Sequence, residues 1–402
     1  MPPTPAAAEA RPGPPDRAGG DACPGALRLH QADDGALARV RLPGGLLTDR
    51  QARVLAGIAE QLGDGALELT SRGNVQLRGL PADSGPELGG RLRAAGLLPS
   101  ETHERVRNIV ASPLAGLDGA GHADLRGWLT ELDRRLCASE LAAGLAGLFL
   151  FALDDGRGDV AALDADVTLI ATPGGGALLR LGRAGTARRI APGDEVSAAL
   201  GAAEEFVRAL RSTGTGAWFV RDVPDLLDPG SVPLPAVTCD PPEPGPFAGG
   251  LVVGTRFGRL TAGQLRGLAE AAPELRITPW RSVVLPGATG PAPAGLRAEP
   301  GSAWERATAC TGAPGCAKSL ADVRADAAAA LERGVPGLPV HWSGCERRCG
   351  HPAGEWVDVL ATGQGYRVTA HRAAARRNDG QTSQDLTTEQ MAEAVAEARR
   401  TT

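Results

Sequence analysis

The residues best equipped for chemistry are four cysteines close to the C-terminal end. Cys310-Thr311-Gly312-Ala313-Pro314-Gly315-Cys316 places five residues between its thiols, and Cys345-Glu346-Arg347-Arg348-Cys349 places three. Four thiolates are what a 4Fe–4S cluster requires, one per iron, and the glycines and prolines let each loop fold back around an inorganic core. Zinc is the competing reading, although zinc knuckles pair cysteines across shorter gaps. Four of the seven cysteines fall in these two loops, which argues against ordinary buried thiols. Cys23, Cys137 and Cys239 stand alone and read as such thiols. His351 follows Cys349 closely. It could ligate an iron or supply protons, or simply hydrogen-bond a loop carbonyl; spacing leaves these open. His103 and His122 lack partner spacing, and His341 reads as a packed strand residue.

A second constellation is cationic and amidic. Arg72, Asn74, Gln76 and Arg78 alternate, so a strand would present all four on one face. Such a face suits a ligand with several carboxylates, because guanidinium forks bind them bidentately. A solvated strand face has the same spacing. Lys318 is the only lysine, so any anion site must be built mainly from arginine.

These groups need a scaffold, and 402 residues allow several domains. Hydrophobic residues make up 43% and charged residues 22%, a globular balance. A net charge of -5 argues against a nucleic-acid partner. No run is long and apolar enough for a membrane span, and residues 1–20 read as a disordered Pro/Ala/Gly tail rather than a signal peptide. A reducing, cytoplasmic setting is therefore expected, where thiolates bind metal.

Strands are predicted at Ala38–Leu42, Ala66–Thr70 and Asn74–Arg78, with a helix opening at Leu47-Thr48-Asp49 and running to Leu62. This makes a ferredoxin-like half-domain within residues 21–100. The pattern returns. Leu47, Thr48, Gln51, Leu55 and Ala56 match Leu260, Thr261, Gln264, Leu268 and Ala269 at an offset of 213. Leu69, Thr70, Val75, Leu77 and Gly79 match Ile277, Thr278, Val283, Leu285 and Gly287 at 208. A second half-domain is thus predicted over 248–292. Glu104, Arg105 and Pro113 match Glu305, Arg306 and Pro314 at 201, which sets Cys310 opposite Ile109 and Cys316 opposite Ala115. Residues 101–220 would then form a module without metal ligands, and 293–371 its cluster-bearing copy. A helix is predicted over 122–143, strands at Leu148–Leu153, Val167–Ala171 and Ala177–Leu181, and a helix over 195–211. Residues 221–247, with eight prolines, read as a linker. A helix at Leu320–Leu331 follows the first cysteine pair, and the strand Pro339–Trp342 delivers the second. Residues 372–402 read as a tail, solvated to 384, with a short helix capped by Thr387 and Gln390.

Together the cysteine spacing and the run Leu69-Thr70-Ser71-Arg72-Gly73-Asn74-Val75-Gln76-Leu77 resemble the nitrite and sulfite reductase superfamily. Cys23-Pro24-Gly25, the stretch Arg107–Gly116 and the run Cys345–Pro352 are most similar to its precorrin-3B synthase branch. The resemblance covers roughly residues 22–365. It implies an α+β fold of two ferredoxin-like half-domains and two duplicated α/β modules around a central cleft. It implies a 4Fe–4S cluster on Cys310, Cys316, Cys345 and Cys349, and a mononuclear non-haem iron. The implied activity is a monooxygenase that hydroxylates precorrin-3A at C20 and closes a γ-lactone. Dioxygen and an external electron donor, a reductase or ferredoxin with NADH behind it, would serve as partners. Arg72, Asn74, Gln76, Arg78, Arg107, Asn108 and Arg281 would line the tetrapyrrole site. The reductase branch would hold sirohaem and reduce sulfite or nitrite. Lysines expected near Phe149 for that chemistry, and in the synthases too, are missing from Leu145–Phe151. A cluster-bearing tetrapyrrole carrier is the non-enzymatic alternative.

Overall fold

The computed structural model describes residues 24–236, 239–332, 334–352, 354–372 and 385–400. The tail at 1–20, Cys23 and the stretch 373–384 lie outside the described residues. The architecture is α+β, with four sheets.

Two of the sheets have five strands each and are built from one repeat. The first runs His30–Ala32, Gly35–Val40, Val75–Leu80, Ala66–Leu69, Arg259–Thr261. The second runs Gly245–Phe247, Gly250–Gly254, Ser282–Pro286, Glu274–Ile277, Leu46–Thr48. Each half-domain therefore gives its short pre-helix strand to the other's sheet. Thr48 and Thr261 then cap the helices Asp49–Leu62 and Ala262–Ala271 with complete capping boxes to Gln51 and Gln264. Leu55, Ala56, Leu268 and Ala269 all enter one shared core. The half-domains expected over 21–100 and 248–292 are thus not separable units. Sequence reading missed the exchange because three residues carry no alternation of their own.

The other two sheets repeat a second pattern. Ile109–Ala111, Phe151–Asp154 and Val167–Ala171 run parallel, followed by antiparallel Ala177–Leu181. Ala307–Ala309, Val340–Ser343 and Trp356–Thr362 run parallel, followed by antiparallel Gly365–His371. The helices Arg126–Ala138 and Glu195–Thr213 cover the first sheet; Val323–Leu331 and Thr388–Arg399 cover the second. The last helix carries the expected Thr387/Gln390 capping box.

Two expectations need correction. The proline-rich stretch 221–247 is stitched into its neighbours, because Val232–Pro233 pairs with Thr186–Ala187 and Gly245–Phe247 with Gly250–Val252. The register of the module repeat also shifts. Ser112 N–H donates to the Leu153 carbonyl at 3.0 Å, as Cys310 N–H donates to that of Trp342 at 2.9 Å. Cys310 therefore corresponds to Ser112, not Ile109. The match of Pro113 with Pro314 arises because the cysteine loop is longer before its proline.

Candidate active site

The two cysteine loops are bonded to each other. Leu320 N–H donates to the Gly344 carbonyl at 2.9 Å, and Gly344 N–H donates to Cys310 Sγ at 3.2 Å. Burial pushes the Cys310 thiol up, and the neighbouring Cys345 and Cys349 push it further, while the Gly344 and Gly312 amides oppose them. Cys310, Cys316 and Cys345 are partly buried and Cys349 is exposed. A backbone amide aimed at the Cys310 sulfur, with Cys345 and Cys349 near enough to act on it, is compatible with a cubane, and Cys316 closes the same loop as Cys310. Among the described residues, no group of three or more His, Cys, Asp or Glu, the four cysteines included, is gathered closely enough to hold a metal ion. His351 belongs to no such group: its Nδ1 lies 2.9 Å from the Pro352 carbonyl, and its ring stacks on Trp356 at 5.1 Å. Of the open readings, the loop-carbonyl one is what the geometry displays.

The first half-domain meets these loops through a polar row. Arg39, Gln76 and Glu68 sit directly opposite one another on three adjacent strands. Arg39 donates to Gln76 Oε1 at 3.0 Å, and Gln76 Nε2 to Glu68 Oε2 at 3.1 Å. Glu68 accepts in turn from Arg324 at 2.5 Å, whose Nε reaches the Cys310 carbonyl at 3.1 Å. Arg78 grips Asp34 with bonds of 2.8 and 2.7 Å, and Ala317 N–H donates to neighbouring Asp33. The strand face is thus wired to the cluster loops rather than solvated. Glu68, Arg324 and Arg39 were not among the expected site residues. Arg324 had a signal, since it opens the helix that follows the first cysteine pair.

The remaining expected residues divide. Arg72 and Asn74 lie in the turn ahead of the strand Val75–Leu80, not on it. Arg72 donates to the Leu148 carbonyl at 2.8 Å. Asn74 is buried, joining Leu42 N–H to Asn108. Asn108 spends its amide on the carbonyls of Arg105 and Gly147, at 3.0 and 2.7 Å. Arg107 turns toward the helix Arg126–Ala138, pairing with Asp133 through two bonds of 2.7 Å and with the Leu97 carbonyl. The Arg107-Asn108 pair thus anchors the scaffold.

Arg281 is different. Its loop reproduces Thr70–Asn74: Thr70 Oγ1 accepts from Arg72 and Asn74 N–H, and Thr278 Oγ1 from Trp280 and Ser282 N–H. In the first copy the left-handed position is Gly73, with φ 66; in the second it is Arg281, with φ 62. A left-handed non-glycine residue is strained, and such strain gathers at functional sites. Among the described residues its guanidinium makes no hydrogen bond or close ion pair, yet it feels the Glu68 charge and acts on His341. Burial pushes it below its ordinary value.

His341 was expected to be packed, and it is buried, but not inertly. Its Nδ1 lies 2.8 Å from Thr308 Oγ1, while Nε2 has no partner. Burial, with Arg281 and His351 nearby, pushes it down to about 4, so the ring is neutral. Ser343 Oγ and Asp358 Oδ1, on the same face of the adjoining strands, are likewise buried and unpartnered.

Over residues 30–95 the chain matches the nitrite/sulfite reductase ferredoxin-like half domain. A precorrin-3B synthase of Sinorhizobium is 30% identical over 395 residues, covering 88% of this chain and 83% of that one. This chain belongs to the precorrin-3B synthase family. Ferredoxin–nitrite reductase of Synechococcus elongatus is 41% identical, but over 26% of this chain and 20% of its own length. The NirA protein of Mycobacterium tuberculosis shares the fold, with a TM-score of 0.63 at 21% identity, covering 89% of this chain and 79% of that one. The family's relatives are oxidoreductases. No helix among the described residues is long and apolar enough to cross a membrane.

Proposed function

We propose that this chain is the oxygen-dependent monooxygenase of corrin-ring synthesis that hydroxylates precorrin-3A at C20, with closure of the γ-lactone. The observation that carries it is Arg281: a strained, half-buried and unspent guanidinium beside the wired cluster loops, in a precorrin-3B synthase relative. A macrocycle rich in carboxylates supplies the partner that this group lacks. Arg72 marks the opposite copy of the same turn, and Gln76 with Arg39 extends the row toward it. Cys310, Cys316, Cys345 and Cys349 would hold a 4Fe–4S cluster, which supplies electrons one at a time when bound.

Arg41 and Asn108 hold the Gly147 carbonyl and Arg72 holds that of Leu148, with Asn74 bonded behind Asn108, so one wall of the site is rigid. The balance of the reaction is one dioxygen, two electrons and two protons per substrate. One oxygen atom enters at C20 and the other leaves as water. The competing reading, sulfite or nitrite reduction on sirohaem, would need cations to clamp a small oxyanion near Phe149, and that segment carries none.

The test is turnover under labelled dioxygen with precorrin-3A and a chemical reductant. One labelled oxygen at C20, from protein showing cluster but no sirohaem absorption, is the expected result. Sirohaem in the purified protein, with nitrite- or sulfite-dependent electron consumption, would establish the reductase instead. Binding of precorrin-3A without turnover would leave the carrier.

A further inference from the structure

We propose that a chain of ordered water, held by Asp358, His341 and Ser343, carries protons from the surface at His371 to the wall of the site at Arg281. The inference rests on the monooxygenase reading above, whose reaction consumes two protons, and adds the route by which they arrive.

The strands Val340–Ser343 and Trp356–Thr362 are parallel neighbours with His341 opposite Asp358. Alternation puts His341, Ser343 and Asp358 on one face, away from Val340, Trp342, Val357 and Val359, which enter the core under the helices. His341 is 1% exposed, Ser343 0% and Asp358 3%, and each keeps one polar atom without a partner: Nε2, Oγ and Oδ1. His341 Nδ1 lies 2.8 Å from Thr308 Oγ1, and Asp358 Oδ2 accepts from Arg348 at 2.7 Å. These two side chains are therefore held in place with one bonding site left on each.

Neighbouring strands lie about 5 Å apart, and alternate residues of one strand about 7 Å. One or two waters span such gaps with hydrogen bonds of about 2.8 Å. Buried polar atoms that the protein leaves unmatched are met by such waters, each taking about three hydrogen bonds. The sister module shows that the fold itself does not require them. Its corresponding positions are Ala152, Asp154 and Thr168. The first is apolar, the second has both oxygens bonded to backbone N–H groups, and the third meets Arg180.

The row has two ends. At one, His371 Nε2 stands 3.9 Å from Asp358 Oδ2, on a side chain that is largely exposed. At the other, Arg281 is near enough to act on His341. Between them Trp356, 6% exposed, stacks on His371 at 4.8 Å and meets His341 edge-on at 6.2 Å, so the middle of the row is covered. A proton entering at the His371 end forms one O–H bond as each water passes its own proton along, and one proton leaves at the Arg281 end. Two such transfers match the two electrons of the reaction. His341 stays neutral throughout and serves only as a hydrogen-bond partner that aligns the chain.

The experiment has a structural and a kinetic arm. A high-resolution crystal structure of the full chain should show water bonded to Asp358 Oδ1, His341 Nε2 and Ser343 Oγ; a dry row would overturn the proposal. In turnover with precorrin-3A, Ser343→Ala is expected to lower kcat about ten- to a hundredfold. Its KM for precorrin-3A and its iron content should not change, and its solvent deuterium effect should grow. Ser343→Thr keeps the hydroxyl and should restore the rate. A kcat equal to wild type in Ser343→Ala would overturn the proposal, as would a loss with an unchanged deuterium effect or with lost iron, either of which marks a structural role. A wild-type chain that does not turn over precorrin-3A would sink the parent reading, and this one with it. Wild-type turnover with an unaffected Ser343→Ala would sink this one alone.

Discussion

The two modules place the same backbone atoms in the same relation and then finish the site with different elements. In the cluster module Gly344 N–H points at Cys310 Sγ; in its sister Asp155 N–H points at Ser112 Oγ, both at 3.2 Å. The sister's next loop is closed by its own carboxylates. Asp154 accepts from the N–H groups of Gly156, Gly158 and Ala161, and Arg157 bridges Asp155 and Asp118. In the cysteine loop Arg348 bridges Glu346 and Asp358, and Cys310 and Cys345 stand where the sister has Ser112 and Gly156. Ser112 offers the facing amide an oxygen, whereas Cys310 offers a sulfur. The facing strands diverge in the same way. Val110 and Ala152 lie under Trp280 in an apolar cluster, while their counterparts Thr308 and His341 form a polar pair beside Arg281.

The largest break in that comparison is Cys349→Ser. Iron in the anaerobically purified protein should fall from about four per chain to near none. Cys137→Ser, in the first module, should keep its iron; equal loss in both would mean general misfolding.

Next comes the strained turn. Arg281→Gly gives the second copy the residue that the first already has at that position. Tetrapyrrole affinity should fall about ten- to a hundredfold, the range of a lost hydrogen bond to a charged group. The unfolding midpoint should hold or rise, because left-handed strain of about 1 kcal/mol is relieved. A lower midpoint with unchanged affinity would make Arg281 a fold residue.

The third prediction probes the carboxylate loop through pH. Asp159 accepts from Ser112 Oγ at 2.6 Å, and burial pushes its carboxyl up to about 6, with Oδ2 unpartnered. Unfolded, it releases its proton near pH 4. Between these values the folded state holds more protons, so stability falls as pH rises, and the penalty is complete above about 6. Asp159→Asn removes it and should be more stable than wild type by on the order of 2 kcal/mol at pH 7.5, but not at pH 4. Asp166, pushed up to about 6 by burial as well, remains in both proteins. Parallel pH–stability curves for the two proteins would refute the assignment.

The smallest effects compare the half-domains. Thr48→Ala and Thr261→Ala each remove one capping box and should cost about 1 kcal/mol apiece. Similar losses in chemical denaturation would confirm that the two copies bear load alike; a loss in one alone would show that the repeat has diverged energetically.

Much of this molecule was determined locally. The strands Val167–Ala171 and Ala177–Leu181 were legible because each is a continuous or near-continuous apolar run, and the Thr387/Gln390 cap because Thr and Gln three residues apart satisfy a helix N-terminus without outside help. The cysteine loops were legible because thiol chemistry and spacing are carried by adjacent residues. What only tertiary structure decided was which partner each side chain met. Leu46–Thr48 joins the far sheet because its free edge is there, and three residues cannot encode that choice. Arg107 and Arg281 are the same residue type, yet one is spent on Asp133 and the other is held unspent by a backbone angle. Cys310 matched Ser112 only once hydrogen bonds, rather than residue counts, aligned the modules. Identity along the chain sets what a residue can do; the fold decides whether its bonding capacity is already used.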